Sequence, residues 1–176
     1  MLKEKPISSL YADLVKVSGV FNDPKPLNTA ALAVQDQARA LAHGGRYTTG
    51  HLANSIMIAF TEEPNQRTAH IGTNVEYAIY VEFGTGPKGQ ANHAGISPDV
   101  KPTYRQSPWW IHESQVDSEA ARVYHWFFVE TDQGRFYRVT GQPARPFLYP
   151  AVHNQEKRIA NLLEGAYQKE IRRRVK

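Results

Sequence analysis

Three short segments constrain the fold of this chain more than any other feature of its sequence. They are residues 49–56, 77–85 and 143–151, and each joins a glycine or proline turn to an apolar run. Apolar runs need burial, while glycine and proline fix how the backbone enters and leaves them. None of the three has the pattern of a catalytic motif. They therefore predict a packed structural domain rather than an active site.

The composition sets limits on the class of protein. The 176 residues suit one domain, and the hydrophobic fraction of 41% indicates a modest core. There is no cysteine, so disulfides and thiolate metal sites are excluded. No apolar run approaches the ~20 residues of a membrane span, and residues 1–6 lack the apolar core of a signal peptide. We expect no membrane partner.

Hydrophobic periodicity predicts alternating helices and hairpins. Leu27, Ala31, Val34, Ala38 and Leu41 form one helical stripe, with Asn28 as the expected N-cap. A weaker helix is expected around residues 10–17. The remaining predicted elements are a hairpin over 56–60 and 68–72, a short helix over 75–83, a second hairpin over 123–130 and 135–140, and a helix over 148–173.

This order of elements predicts an α+β fold. Strands that come as hairpins pair antiparallel, and two amphipathic helices can cover one face of the resulting sheet. We expect about four strands in a mainly antiparallel sheet. Residues 1–26 form an N-terminal extension or short helix, and residues 27–176 form a single domain with a long loop insertion over 84–122.

The predicted loop is rich in glycine and proline but carries large apolar side chains. Trp109, Trp110 and Ile111 lie within it, and such residues seldom remain in water. A loop of this length inside a compact domain is usually functional or disordered. We therefore expect it to reach a neighbouring subunit.

Catalytic and metal-binding patterns are weak. His93, His112 and His125 are separated by 19 and 13 residues, unlike the short spacings of zinc ligands, so we expect no metal and no cofactor. Glu82 lies in an apolar run before Gly84. It is interpreted as a buried structural carboxylate held by a basic partner, with Arg145 the best candidate, or by backbone amides. A general acid in an unrecognised hydrolase is the alternative.

The end of the chain is basic. Lys169, Arg172, Arg173, Arg174 and Lys176 account for much of the net charge of +4. Cations favour the C-terminus of a helix because of its dipole, and this is the preferred interpretation. The alternative is a DNA- or RNA-binding protein acting through this helix.

The three segments, in this order, resemble the tail-completion or neck proteins of long-tailed bacteriophages. That family carries a Thr-Gly-x-Leu segment, a Tyr-Ala-x-Tyr-Val-Glu-Phe-Gly-Thr segment and a Pro-Phe-Leu-x-Pro-Ala segment before a terminal helix. The similarity covers about residues 27–170 and leaves residues 1–26 and 87–106 unmatched. The candidate structural and assembly residues are Glu82, Gly84, Arg145, Pro146, Phe147, Trp109 and Trp110.

The resemblance implies a non-catalytic virion protein made in the host bacterial cytoplasm. Such proteins complete the upper end of the tail at the head–tail junction and form rings. A hexamer is favoured and a dodecamer is the next choice. The implied partners are other copies of the chain and other neck and tail proteins. DNA would pass through the central channel without sequence-specific binding.

Overall fold

The computed structural model describes residues 23–44, 50–64, 66–116, 118–123 and 125–175. The helix expected around residues 10–17 lies outside these ranges. The chain divides into two compact units. The first comprises residues 1–37, 57–72 and 151–176, and the second comprises residues 38–56 and 73–150.

Seven helices and five strands lie in the described residues. The helices are α1 (Lys25–Ala42), α2 (His51–Asn54), α3 (Ala78–Phe83), α4 (Gly86–Ala91), α5 (Ser118–Val123), α6 (Tyr149–His153) and α7 (Glu156–Val175). The strands are β1 (Met57–Glu63), β2 (Gln66–Gly72), β3 (Trp109–His112), β4 (Phe128–Thr131) and β5 (Gly134–Val139). The predicted α+β class with antiparallel pairing is confirmed.

Helix α1 begins earlier than its sequence pattern predicts. The side chain that accepts a hydrogen bond from the backbone at its start is Asp23, not the predicted Asn28. The Asp23 Oδ1 accepts this bond from the Lys25 N–H at 3.0 Å. Prolines are tolerated in a first turn, whose N–H groups have no helical partner. The buried stripe comprises Ala30, Ala31, Val34, Gln35, Ala38 and Ala42, so the predicted stripe is shifted and Leu41 is exposed.

The first unit contains a hairpin and the C-terminal helix. Strands β1 and β2 pair over seven residue pairs, from Met57 with Gly72 to Glu63 with Gln66. The helix expected over 148–173 is interrupted after α6. At the interruption the Gln155 N–H donates to the Val152 carbonyl, a tightened i to i−3 contact.

The second unit contains a three-stranded antiparallel sheet in the order β3-β5-β4. The predicted second hairpin is confirmed over residues 128–139. The structure differs from the predicted four-stranded sheet, since the strands number five and lie in two separate sheets. The extra strand is β3, which comes from the region predicted as a loop and pairs with β5 through the Trp109–Val139 and Trp110–Arg138 pairs.

Residues 84–122 therefore contain more regular structure than their glycines and prolines indicate. Helix α4 follows Gly84, a 3-10 turn over Glu113–Gln115 follows β3, and α5 begins at Ser118. Residues 92–108 form no helix or strand. In the described part of the chain, no helix is both long enough and apolar enough to cross a membrane.

Candidate functional site

The second and third sequence segments meet at the Glu82 carboxylate. Its Oε2 accepts hydrogen bonds from the N–H groups of Phe147 at 2.7 Å and Leu148 at 3.0 Å. Its Oε1 accepts one from the Tyr149 N–H at 3.0 Å. The Glu82 side chain is 5% exposed and Phe147 is fully buried. A charge is tolerated in such a position only when hydrogen bonds replace its lost water, and three backbone donors do so here.

The local sequence explains why these three donors are free. They precede and begin α6, and the first N–H groups of a helix have no partner within it. Pro146 and Pro150 flank the donors and contribute no N–H themselves. The Glu82 carboxylate therefore caps a helix start from a distant part of the chain. Its negative charge also suits the positive end of the peptide dipoles.

The two segments are also joined backbone to backbone. Thr85 and Gln142 exchange hydrogen bonds, with the Thr85 N–H donating at 2.9 Å and the Gln142 N–H at 3.1 Å. The Ala144 N–H donates to the Asn92 carbonyl and the Arg145 N–H to the Val81 carbonyl, both at 2.8 Å. Residues 142–149 are thus fixed along their length to residues 81–92.

Two glycines allow this close approach. Gly84 has φ of 73°, and a Cβ there would lie 2.6 Å from the Ala144 nitrogen. Gly141 has φ of 90°, and a Cβ there would lie 1.9 Å from the Thr85 oxygen. Both the positive φ and the absence of a side chain are therefore required. We call this arrangement of Glu82, its three amides and the two glycines the junction.

Arg145 does not act as the predicted partner of Glu82. No ion pair joins Glu82 and Arg145, both of which are described residues, because the backbone amides already satisfy the carboxylate. The Arg145 side chain is exposed and lines a neighbouring cleft. The structure thus brings Glu82, Gly84, Pro146 and Phe147 together and directs the Arg145 guanidinium elsewhere.

The cleft has a volume of about 1020 Å³ and lies wholly within the second unit. The first and second sequence segments both contribute to its wall, through residues such as Leu52 and Tyr80. Helix α3 buries Ala78 and Glu82 on one side and presents large apolar side chains on the other. Ile79 is 57% exposed and Tyr80 is 55% exposed. Contiguous exposed apolar surfaces on soluble proteins are typical of interaction sites.

Sequence reasoning missed this exposed face of α3. The sequence predicted only a short helix over 75–83, whereas the structure exposes Tyr77 and Tyr80 on α3 and buries the acidic Glu82. A signal was present in the sequence, since α3 is nearly apolar all round and a short surface helix cannot bury every side.

The two candidate tryptophans point to opposite sides of the β3-β5-β4 sheet. Trp109 lines the cleft, half-buried, with the Arg105 guanidinium 5.5 Å from its ring centre. Trp110 is 46% exposed and its ring lies 6.0 Å from that of Phe127. Successive residues of a strand face opposite sides, which accounts for the difference. The chain itself therefore covers Trp109 in part and leaves Trp110 largely in water.

The histidines act as local structural groups. His112 Nδ1 accepts from the Ser114 N–H at 3.2 Å, which places the ring proton on Nε2, facing the Gln133 carbonyl at 2.9 Å. His93 contacts the Gln90 carbonyl at 2.6 Å. Among the described residues no cluster of three or more His, Asp or Glu side chains is placed to hold a metal ion.

The basic end of α7 is partly neutralised within the helix. Glu170 forms ion pairs with both Arg173 and Arg174. Hydrogen bonds from these two guanidinium groups lower the pKa of Glu170 from 4.5 to about 2. Two of the cations expected to contact nucleic acid are thus engaged by a carboxylate of the same helix. This weakens the nucleic-acid alternative.

Comparison with known proteins agrees with the sequence resemblance. Residues 11–84 match the family model described as "Bacteriophage HK97-gp10, putative tail-component". The predicted similarity to a phage tail or neck family is therefore confirmed over residues 11–84. The prediction that residues 1–26 are unmatched is wrong for residues 11–26, which the match includes. No curated protein and no solved structure matches the chain.

Proposed function

We propose that this chain is a structural virion protein of the phage head–tail junction, which completes the upper end of the tail and forms part of a ring around the DNA channel. The match of residues 11–84 to a tail-component family carries the proposal. The geometry supports it. The matched part ends in helix α3, which contributes both the buried Glu82 and the exposed apolar wall of the cleft.

A structural role fits the hydrogen bonding of the Glu82 carboxylate better than catalysis does. A general acid or base must exchange a proton with a bound substrate, so one of its oxygens must be accessible. Both Glu82 oxygens instead accept hydrogen bonds from backbone N–H groups. The role of Glu82 is therefore to hold residues 147–149 in place.

The ring is proposed to contain six copies, with twelve as the next choice, because the upper end of a tail in this family's setting commonly has six-fold symmetry. Its partners are other copies of the chain and other neck and tail proteins. DNA passes through the channel without sequence-specific contacts. The protein is made in the host bacterial cytoplasm and ends in the virion.

The test is genetic complementation of a phage whose copy of this gene is deleted. We expect the deletion to yield filled heads and separate tails, visible by negative-stain microscopy, and the wild-type gene to restore joining. Normal joined particles without the gene would contradict the proposal.

A single-residue variant refines this test. Trp110→Ser replaces an exposed ring, so the variant chain should fold. In the complementation assay we expect this variant not to restore the joining of heads to tails. Trp109→Ser is unsuitable as the main variant, because Trp109 is half-buried and its loss would also affect folding. Val152→Ser, which alters an apolar residue of similar exposure in the first unit, is the matched control and should restore joining.

A further inference from the structure

Two apolar surfaces lie on opposite sides of the β3-β5-β4 sheet. Directly paired residues share a side of a sheet, so the register places Trp109, Ile111 and Tyr137 on one side. Trp109 and Ile111 line the cleft, so this is the cleft side. The other side carries Trp110, Val129, Phe136 and Phe127, whose ring adjoins that of Trp110. We call these four residues the outer aromatic face.

The outer aromatic face is exposed to an extent unusual for such residues. Phe127 is 63% exposed, Trp110 46% and Val129 39%. Contiguous exposed aromatic residues are typical of the centre of an interface, where Trp, Tyr and Arg provide most of the binding free energy. Arg138 lies on the same side, is exposed and pairs with Trp110 in the sheet register.

The cleft and the hairpin each carry an exposed charge without a partner, and the two charges have opposite signs. Among the described residues, the cleft is lined by the cations Arg105 and Arg145 and by no acidic residue. Arg145 has no ion-pair partner among the described residues. Asp132 lies exposed in the turn between β4 and β5, at the tip of the hairpin that carries Val129 and Phe136, and it too has no ion-pair partner in the described part of the chain. The other carboxylate of this hairpin, Glu130, is already paired with Arg135.

We propose that the outer aromatic face of one copy docks into the cleft of the next copy, with Asp132 of the first facing Arg145 of the second. This inference rests on the proposed function for the closure of the contact into a ring. In this contact the exposed tyrosines of the cleft meet Trp110 and Phe127, and they offer rings on which Arg138 can stack.

A second copy of the chain is the proposed occupant because its exposed Asp132 has the charge opposite to that of Arg145 in the cleft, and one copy cannot bring these two groups together. The two surfaces are the opposite sides of a single sheet, so each leaves the other free for a further copy. A contact between two different patches is heterologous, and its repetition closes into a ring when the rotation between neighbours divides a full turn.

The experiment reverses the two charges separately and together in the full-length chain. Self-association is measured by sedimentation velocity over a concentration series. We expect Asp132→Arg and Arg145→Asp each to weaken association about tenfold or more, because each places like charges face to face. The double variant should recover most of the loss. The two single variants, when mixed, should associate with each other, since each supplies the charge that the other lacks.

Matched controls alter charge by the same amount in the first unit. Glu63→Arg and Lys157→Asp lie on exposed positions there and should leave association unchanged. The Arg145 backbone N–H, which bonds Val81, is retained in every variant. Circular dichroism confirms that each variant is folded.

Three results would overturn the proposed contact: a wild-type chain that stays monomeric at the highest concentration, single variants that associate normally, or a double variant and mixture that show no recovery. A different tail protein that binds the cleft while the chain stays monomeric would identify another occupant. In each case the deletion test above still judges the proposed function independently, because it removes the whole chain and not one surface, whereas the charge variants judge only the contact.

Discussion

Replacing Glu82 with glutamine tests the junction directly. In Glu82→Gln the amide oxygen can take the place of Oε2 and keep the bonds to Phe147 and Leu148 as neutral hydrogen bonds. The new NH₂ group then faces the Tyr149 N–H, so one donor meets another donor. In the variant, the hydrogen bonds from Phe147 and Leu148 therefore have a neutral acceptor in place of a charged one, and the Tyr149 N–H has no acceptor.

The expected loss of stability follows from these bonds. A hydrogen bond to a charged group contributes roughly 1 kcal/mol more than a neutral one, and an unsatisfied donor away from water costs about 1–3 kcal/mol. The free energy of unfolding should therefore fall by about 3–5 kcal/mol. This would be a large effect for a single substitution that preserves side-chain shape, since most single substitutions cost about 0.5–3 kcal/mol.

The assay is urea unfolding, combined with amide hydrogen exchange at residues 147–149. Exchange should accelerate at these three amides in the variant, because they lose the carboxylate that protects them. Glu76→Gln alters an exposed acid directly before the same segment and should change the unfolding free energy by less than about 0.5 kcal/mol. If Glu82→Gln is as stable as this control and its three amides remain protected, the structural role of Glu82 is refuted.

Three further predictions concern other parts of the chain. Gly141→Ala should destabilise strongly, since its Cβ would lie 1.9 Å from a backbone oxygen, whereas Gly165→Ala, in open space within α7, should stabilise by about 0.5–1 kcal/mol in the same urea assay. Glu170 has a lowered pKa of about 2, so its ion pairs stabilise α7 above pH 4.5 and are lost as the pH falls from 4.5 through 2. Circular dichroism of wild type should show this acid loss of helicity, and Glu170→Gln should lack it. The Arg138 amide, bonded at 2.8 Å in the central strand, should exchange more slowly than amides of residues 93–99, and equal rates would contradict the sheet.

Local patterns predicted the class of fold because they reflect local physics. Alternating aromatics around Asp132 and Gly134 predicted the β4–β5 hairpin, and four-and-three spacing predicted α1. Strand β3 was missed because it is four residues long and is fixed by its pairing with β5, a contact between residues distant in sequence. Glycine and proline around it indicated a loop, and tertiary pairing outweighed that preference.

The partners of the candidate residues were harder to predict than the residues themselves. The sequence predicted Glu82 as a buried carboxylate held either by a basic partner, with Arg145 the best candidate, or by backbone amides, and it could not decide between the two. The actual donors are backbone N–H groups freed at the start of α6, which depend on where that helix begins. The exposed face of α3 also depends on which side Glu82 occupies. Neither fact can be obtained from composition or spacing.

We propose that the chain occupies a ring at the upper end of a phage tail. The most direct test is a cryo-electron microscopy reconstruction of the head–tail junction of the phage that carries this gene, computed without imposed symmetry. We predict a closed ring of this chain around the DNA channel, six-fold in symmetry, with Trp110 of each copy against Tyr80 of its neighbour. A head–tail junction from which this chain is absent, or in which it occurs only as single copies away from the channel, would contradict the proposal.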